Sequence, residues 1–175
     1  YKSNAKSAEE EFSKARKKDK KDVKVLVAIA EAYYKNGVTK KVDEELEDAV
    51  KADKSSPLIF TFKGDMLKDQ NNVGGAAGEY EQAILADANF LVAYVKIAQL
   101  YSTINTETTV DRLNKVLEIN PDFAIVNKYL ADSYFRNKRY RDAAETYEKF
   151  FSKGNYSLKE ISNLAVSYYF TGQYD

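Results

Sequence analysis

Residues 127–147, NKYLADSYFRNKRYRDAAETY, contain the pattern that decides the fold of this 175-residue chain. The small residue Ala131 is followed three positions later by Tyr134, and Ala143 is followed four positions later by Tyr147. Each spacing places the two side chains on one face of an α-helix. The stretch therefore predicts two amphipathic helices joined by a short turn.

The same pattern recurs along the chain. Small residues stand 34, 34, 33 and 34 positions apart at Ala30, Gly64, Ala98, Ala131 and Ala165. A second series with the same period is Ala8, Val42, Ala76, Thr109 and Ala143. Four positions after each member of that series stands a large residue: Phe12, Leu46, Tyr80, Leu113 and Tyr147. A fixed period of this length predicts a stacked array, in which each helix pair buries its apolar face against its neighbours.

The periodicity predicts ten helices and no strands. Complete repeats are expected over residues 23–56, 57–90, 91–123 and 124–157, with a lone second helix in 1–22 and a lone first helix in 158–175. Pro57 opens a helix in the first turn, where its missing N–H costs nothing. Gly37 and Gly172 follow predicted first helices and are expected to end them. The fifth helix is predicted over residues 75–88, after a turn at Asn71 and Asn72.

The motif carries a family resemblance. Asn127-x-x-Leu130-Ala131-x-x-Tyr134-Phe135, followed by Tyr140-x-x-Ala143-x-x-x-Tyr147, resembles the tetratricopeptide repeat almost position by position. Ile161-x-x-Leu164-Ala165-x-x-Tyr168 repeats the first half, and Asn120-Pro121 matches the usual end of a repeat. The resemblance extends over essentially the whole chain. It implies an all-α, right-handed superhelical solenoid of antiparallel helix pairs.

The composition limits the chemistry that is available. The chain has no histidine, the side chain that most often acts as a general base at neutral pH. It also has no cysteine, which excludes disulfides, thiolate nucleophiles and cysteine-ligated metals. The remaining carboxylates, lysines, tyrosines and hydroxyls form no recognisable catalytic motif. We therefore expect a chain without catalysis, cofactor or metal.

The charge pattern argues against a nucleic-acid partner, and the hydropathy pattern argues against a transmembrane segment. Lysine plus arginine balance aspartate plus glutamate at 27 each, whereas nucleic-acid binders normally have a basic surplus. The densest basic run lies between Lys14 and Lys24, where Asp19 and Asp22 dilute it, and we interpret it as a solvated turn. No stretch approaches the 18 or so apolar residues of a transmembrane helix.

The resemblance implies a binding surface. In the tetratricopeptide family the first helix of each pair lines a concave groove that holds peptides. Carried over to this chain, the candidate groove residues are Glu31, Tyr34, Asp65, Lys68, Gln99, Lys128, Asp132, Phe135 and Tyr169. The acids share one position of the repeat, and the aromatic residues offer platforms for apolar anchors. We expect a protein or peptide partner that presents a basic or amphipathic segment.

Three other interpretations remain open. The charged face could be a solvated helix surface that binds nothing, since exposed charges on helices are ordinary. The chain could be a structural element that self-associates through its open end helices. It could also be the docking arm of a larger enzyme or envelope complex.

The composition gives little information about the compartment. Lack of cysteine fits a reducing cytosol and an envelope compartment equally well. The abundance of lysine, asparagine and tyrosine leans towards a bacterial protein.

Overall fold

Ten α-helices make up the secondary structure of the described residues, with no β-strand among them. The structure is a computed structural model that describes residues 2–19, 21–102, 106–121, 123, 125–152, 154 and 156–172. The helices are α1 (Lys2–Lys18), α2 (Val23–Lys35), α3 (Thr39–Ala52), α4 (Pro57–Asp69), α5 (Val73–Ala86), α6 (Leu91–Tyr101), α7 (Thr106–Ile119), α8 (Ile125–Arg136), α9 (Tyr140–Phe151) and α10 (Leu158–Thr171).

The helices fall into two compact units, Tyr1–Ala88 and Asn89–Asp175. In the first unit α2 pairs with α3 and α4 pairs with α5, while α2 also lies against α4. In the second unit α6 pairs with α7 and α8 pairs with α9, and α10 packs against α8 and α9. The predicted all-α class and pairing of helices are confirmed. The repeat boundaries inferred from the sequence stay a prediction.

Three turns between paired helices, and the end of α10, share one backbone conformation. Gly37, between α2 and α3, has a φ of +72°, and Gly172, after α10, has a φ of +74°. Asn71 and Lys138 stand at the same position of the repeat, and each has a φ of 59°. All four residues are in the left-handed region, which glycine adopts without the steric cost that a Cβ brings. The same left-handed conformation is therefore present at Asn71 and Lys138, where the residue is not glycine.

The start of α5 differs from the sequence prediction by two residues. The helix begins at Val73 and ends at Ala86, whereas the sequence predicted residues 75–88. The Asn72 side chain accepts a hydrogen bond from the backbone N–H of Gly75 and so caps the helix. This cap compensates for two glycines in the first turn, which have low intrinsic helix propensity.

In the first unit, apolar side chains pack between α2 and α3, and charged side chains join α1 to α3. Leu26, Ile29 and Ala30 of α2 are buried against Val42 and Ala49 of α3. A charged bridge ties the end of α1 to α3. Arg16 donates to Glu45 Oε1 at 2.8 Å and also to Asp48. Arg16 belongs to the basic run of the sequence, so at least this charge of the run has a structural role.

Helices α4 and α5 approach each other at a glycine. A Cβ built on Gly64 would lie 2.4 Å from Cε1 of Tyr80, whose side chain is fully buried. The absence of a side chain at position 64 therefore lets the tyrosine ring lie directly on the α4 backbone. This is the physical reason for a small residue at this position of the repeat.

The second unit repeats this arrangement with alanines. Ala98 of α6 and Ala131 of α8 are buried, as are Ala143 and Tyr147 of α9. Ala165 of α10 holds the same position of the repeat but is exposed. Among the described residues no helix is long and apolar enough to cross a bilayer.

Candidate peptide-binding face

In the first unit the candidate residues lie on α2 and α4. Glu31 is half-buried and, among the described residues, forms no hydrogen bond or ion pair. Tyr34, three positions later, packs edge-to-face against Phe62 with ring centroids 5.9 Å apart, and its hydroxyl lies 3.5 Å from the Met66 carbonyl. Glu31 is thus a carboxylate next to an aromatic ring that is fixed by the neighbouring helix.

Asp65 of α4 is hydrogen-bonded to a residue of α5. The hydroxyl of Tyr80 donates a hydrogen bond to Asp65 Oδ1 over 2.7 Å. Burial of the Tyr80 ring and this bond to a carboxylate raise the pKa of Tyr80 well above its usual range, so it remains a donor. Lys68, one turn further along α4, is exposed to solvent.

In the second unit the structure brings three of the candidate residues together. Gln99 of α6 and Lys128 and Asp132 of α8 line one cavity of about 210 Å³. Arg136 of α8 and Lys159 of α10 also line it, so all three first helices of this unit contribute. The helix positions that the resemblance assigned to binding therefore enclose a concave surface within this unit.

Asp132 is the centre of a buried polar network. The residue is only 5% exposed, and Tyr147 donates to its Oδ1 at 2.5 Å. Lys128 donates to Oδ2 at 3.2 Å, and Nζ of Lys159 lies 3.7 Å from the same oxygen. Asn163 of α10 in turn donates to the Tyr147 hydroxyl at 2.9 Å. The carboxylate is therefore saturated by groups of the protein itself.

The network continues to the start of α10. Lys128 lies 3.0 Å from Glu160 Oε1, and Glu160 caps the helix by accepting hydrogen bonds from the backbone N–H and hydroxyl of Ser157. Burial alone would raise the pKa of Glu160, but the Ser157 hydrogen bonds and the Lys128 ammonium together lower it to about 2. Burial likewise opposes the charge of Lys128, but Glu160 and Asp132 raise its pKa above the usual range.

The rim of the cavity is cationic, which differs from the acidic line that the sequence suggested. The Lys159 side chain is 63% exposed, and Arg136 is held by a hydrogen bond from Nη1 to the Ser102 carbonyl at 3.1 Å. Because Asp132 is already balanced by Lys128, an incoming group meets positive charge and the amide of Gln99. Sequence reasoning missed Arg136 and the role of Lys159.

The remaining two candidates lie outside the cavity lining. Phe135 is half-buried and packs edge-to-face on Tyr140, with ring centroids 5.8 Å apart. Tyr169 is 64% exposed and lies edge-to-face against Phe170 at 5.4 Å. Of the two, Tyr169 is therefore the better placed to offer an aromatic surface to a partner. The described residues contain no group of three or more acidic side chains that could hold a metal ion.

Comparison with known proteins supports the helical-repeat fold. Residues 129–153 match the model of a family described as tetratricopeptide repeat. The matched segment is the α8–α9 pair, which contains the Asp132–Tyr147 hydrogen bond. The chain has a tetratricopeptide-like helical-repeat fold, and the family model itself matches this one helix pair. A search of curated protein sequences finds no match.

Solved tetratricopeptide-repeat structures share the fold. PilF of Pseudomonas aeruginosa aligns with a TM-score of 0.77 and 17% identity over 98% of this chain and 79% of that one. YrrB, described as a TPR protein with an unusual peptide-binding site, aligns with a TM-score of 0.67 and 13% identity over 94% of this chain and 85% of its own. A chain of the APC/C hetero-tetramer Cut9–Hcn1 aligns with a TM-score of 0.72 and 13% identity over 89% of this chain.

These identities support a common fold and nothing finer. The present chain spans 32% of the matched chain of Cut9–Hcn1, so it corresponds to about a third of that protein. The predicted solenoid of antiparallel tetratricopeptide-type pairs is confirmed.

Proposed function

We propose that this chain is a non-catalytic protein-interaction scaffold, which binds a peptide segment of a partner protein on the first-helix face of its repeats. The observation that carries the proposal is the cavity of the second unit, which is lined by residues of α6, α8 and α10. Repeat proteins use such surfaces, built from equivalent positions of successive repeats, to bind extended segments. The likeness to YrrB, which has a peptide-binding site, supports this class of function.

In the first unit the proposed ligand group is basic. Glu31 is a half-buried carboxylate without an internal partner among the described residues, and Tyr34 stands one helical turn away. A lysine or arginine side chain can lay its aliphatic stem along the ring and place its charge on the carboxylate. For the face formed by α2 and α4, the proposed ligand is therefore still a basic or amphipathic segment of a partner protein.

In the second unit the proposed ligand group is a carbonyl or carboxylate oxygen of the peptide. Arg136, Lys159 and the exposed amide of Gln99 are the donors that face the cavity, whereas Asp132 is committed to Tyr147 and Lys128. A buried carboxylate with satisfied hydrogen bonds has little to gain from an additional cation. The donors of the rim, rather than Asp132, therefore select the ligand.

A scaffold without catalysis is consistent with the side chains that are present. Neither histidine nor cysteine occurs in the chain. The largest shifts of tyrosine pKa belong to Tyr80 and Tyr147, whose values are raised by burial and by hydrogen bonds to Asp65 and Asp132, and a hydrogen bond to Glu148 raises the pKa of Tyr168 to about 12. A raised pKa keeps the tyrosine hydroxyl protonated as a hydrogen-bond donor and does not produce a nucleophile.

Selection from a random peptide library tests the proposal without knowledge of the partner. Peptides that bind the wild-type chain would be measured by fluorescence anisotropy against Glu31→Gln and Gln99→Glu, which alter the two units at accessible positions. Glu47→Gln on α3 and Gln82→Glu on α5 are matched controls, because both are exposed residues of second helices. We expect roughly tenfold weaker binding in at least one first-helix variant and no change in the controls.

The sequences of the selected peptides test the ligand chemistry. Peptides whose binding depends on Glu31 should contain lysine or arginine, and peptides that depend on Gln99 should contain acidic residues or a free carboxyl terminus. Binding that is equally strong in all four variants would place recognition on another surface and overturn the proposal.

A further inference from the structure

Two positions correspond to each other in the four helix pairs α2–α3, α4–α5, α6–α7 and α8–α9. One lies on the first helix of each pair and carries a polar side chain. We call it the acceptor position, and its residues are Glu31, Asp65, Gln99 and Asp132. The other lies on the second helix. We call it the donor position, and its residues are Leu46, Tyr80, Leu113 and Tyr147.

The state of the acceptor position follows the residue at the donor position. Where the donor position is tyrosine, its hydroxyl donates a hydrogen bond to the aspartate of the same pair, to Asp65 at 2.7 Å and to Asp132. Where the donor position is leucine, there is no hydroxyl to donate. Among the described residues, the side chains of Glu31 and Gln99 form no hydrogen bond or ion pair. The correspondence holds in all four pairs.

Packing alone does not require tyrosine at the donor position. Leu113 is as fully buried as Tyr80 and Tyr147, so either residue type can fill the space between the helices of a pair. Leu46 is half-buried and packs against the apolar cluster of the first unit. The hydroxyl is therefore the difference that matters to the acceptor position, because a buried hydroxyl needs a hydrogen-bond partner.

The hydrogen bond changes what the acceptor position can offer to a ligand. A carboxylate that the protein already satisfies gains little from a further donor, whereas an unpaired polar group gains a full hydrogen bond or ion pair. Each compact unit contains one acceptor position of each kind. In the first unit Glu31 is unpaired and Asp65 is bonded, and in the second unit Gln99 is unpaired and Asp132 is bonded.

We propose that the residue at the donor position decides which repeats recognise the peptide. Leucine leaves Glu31 and Gln99 to the ligand, and tyrosine makes the acid of its own pair a structural acceptor. Leu46 and Leu113 thus determine specificity through the acceptor position and without contact with the ligand. This inference rests on the proposed function, since it requires a peptide on the first-helix face. It narrows the ligand for the first unit to one basic residue at this position, in place of a basic run that matches a whole acidic row.

Leu46→Tyr tests the inference by giving the first pair a hydroxyl at its donor position. A tyrosine is accommodated opposite alanine in the α8–α9 pair, where Tyr147 is buried with Ala131, and Ala30 holds the position of Ala131 in the first pair. The new hydroxyl should donate to Glu31. Leu46→Phe is the matched control, because it adds the ring without the hydroxyl. Circular dichroism would verify that both variants are folded.

The first measurement requires no peptide. Urea unfolding of a double-mutant cycle compares the effect of Glu31→Ala in the wild-type, Leu46→Tyr and Leu46→Phe chains. Glu31→Ala should lower the urea midpoint most in Leu46→Tyr, since it removes the acceptor of the new hydroxyl. The bond of Tyr168 to Glu148 at 2.6 Å shows that a glutamate can accept from tyrosine in this chain. Equal effects of Glu31→Ala in the three chains would overturn the inference, whether or not the chain binds peptides.

The second measurement uses a lysine- or arginine-containing peptide that was selected from the random library on the wild-type chain and that depends on Glu31. Fluorescence anisotropy should show binding weakened about tenfold or more in Leu46→Tyr and unchanged in Leu46→Phe. If Glu31 is coupled to the new tyrosine but binding is unchanged, the ligand does not use Glu31, and both the inference and the proposed ligand of the first unit fail. A library that yields no peptide dependent on Glu31 likewise overturns both.

Discussion

The hydroxyl of Tyr147 donates a hydrogen bond to Asp132, and Tyr80 donates in the same way to Asp65, in both cases across fifteen residues. Each bond joins the second helix of a pair to the first. Two of the acids that look like a ligand-binding row in the sequence are therefore internal acceptors. Their conserved spacing within the chain follows from helix packing, and a peptide ligand is not required to explain it.

Tyr147→Phe should lower the free energy of unfolding by about 1–2 kcal/mol. It removes a donor from the buried Asp132 and an acceptor from Asn163. Tyr168→Phe is the matched control, because the Tyr168 hydroxyl donates to Glu148 at the exposed surface. Urea unfolding followed by circular dichroism measures both. Equal losses in the two variants would contradict a special role for the buried network.

Gly64→Ala should destabilise the chain by about 1–3 kcal/mol, since a Cβ there would lie 2.4 Å from the buried ring of Tyr80. Gly78→Ala, in α5, should stabilise it by about 0.5–1 kcal/mol, because that Cβ meets no atom within 4 Å and alanine is the better helix former. Thermal and urea unfolding of the two variants give opposite signs if the close approach of α4 and α5 is correct. A stabilised Gly64→Ala variant would show that the helices lie further apart.

Lys138→Gly should raise the free energy of unfolding by about 1 kcal/mol, because Lys138 has a φ of 59° and only glycine avoids the steric cost there. Lys149→Gly, in the last turn of α9, should lower it by up to about 1 kcal/mol, because glycine is a poorer helix former than lysine. The contrast separates relief of backbone strain from any general effect of removing a lysine. Two losses of similar size would argue that the turn after α8 is not strained.

Because of Glu160, the free energy of unfolding should depend on pH in the acidic range. Its pKa is lowered to about 2 in the folded chain from an ordinary 4.5, so its contribution is complete above pH 4.5 and is lost as the pH falls towards 2. The wild-type chain should therefore exceed Glu160→Gln in unfolding free energy at pH 6, and the difference should shrink over that window. Urea titrations at several pH values measure it. A difference that does not change with pH would mean that the charge of Glu160 adds nothing to its hydrogen bonds.

Much of the fold could be predicted from the sequence. Ala30, Gly64, Ala98 and Ala131 mark close helix contacts, and in the structure all four are buried. Periodicity reports burial because a helix shows one face to its neighbour every three or four residues. It does not report caps reliably, which is why the start of α5 at Val73, set by the Asn72 side chain, was placed two residues late.

The candidate site could be predicted only in part. The position of Asp132 in the repeat gave its helix and its side of the helix, but not its burial or its partners. Those depend on Tyr147, Lys159 and Asn163, which come from the next two helices. Lys128 is four residues before Asp132 on α8, a spacing that the sequence shows, but Gln99 and Lys159 come to the same cavity only through the packing of α6, α8 and α10. The use of this surface for binding stays a proposal.

The sequence by itself determined the class of fold and the pairing of helices, because a period of about 34 residues repeats the same local packing several times. Only the tertiary structure decided which charged side chains are exposed to solvent and which are buried in hydrogen bonds and ion pairs within the protein. The ionisation and reach of a side chain depend on groups that are distant in sequence and arrive from other helices. For that reason Asp132, which the sequence placed in an acidic row, is paired with Lys128 in the structure, and the cavity beside it has Arg136 and Lys159 at its rim.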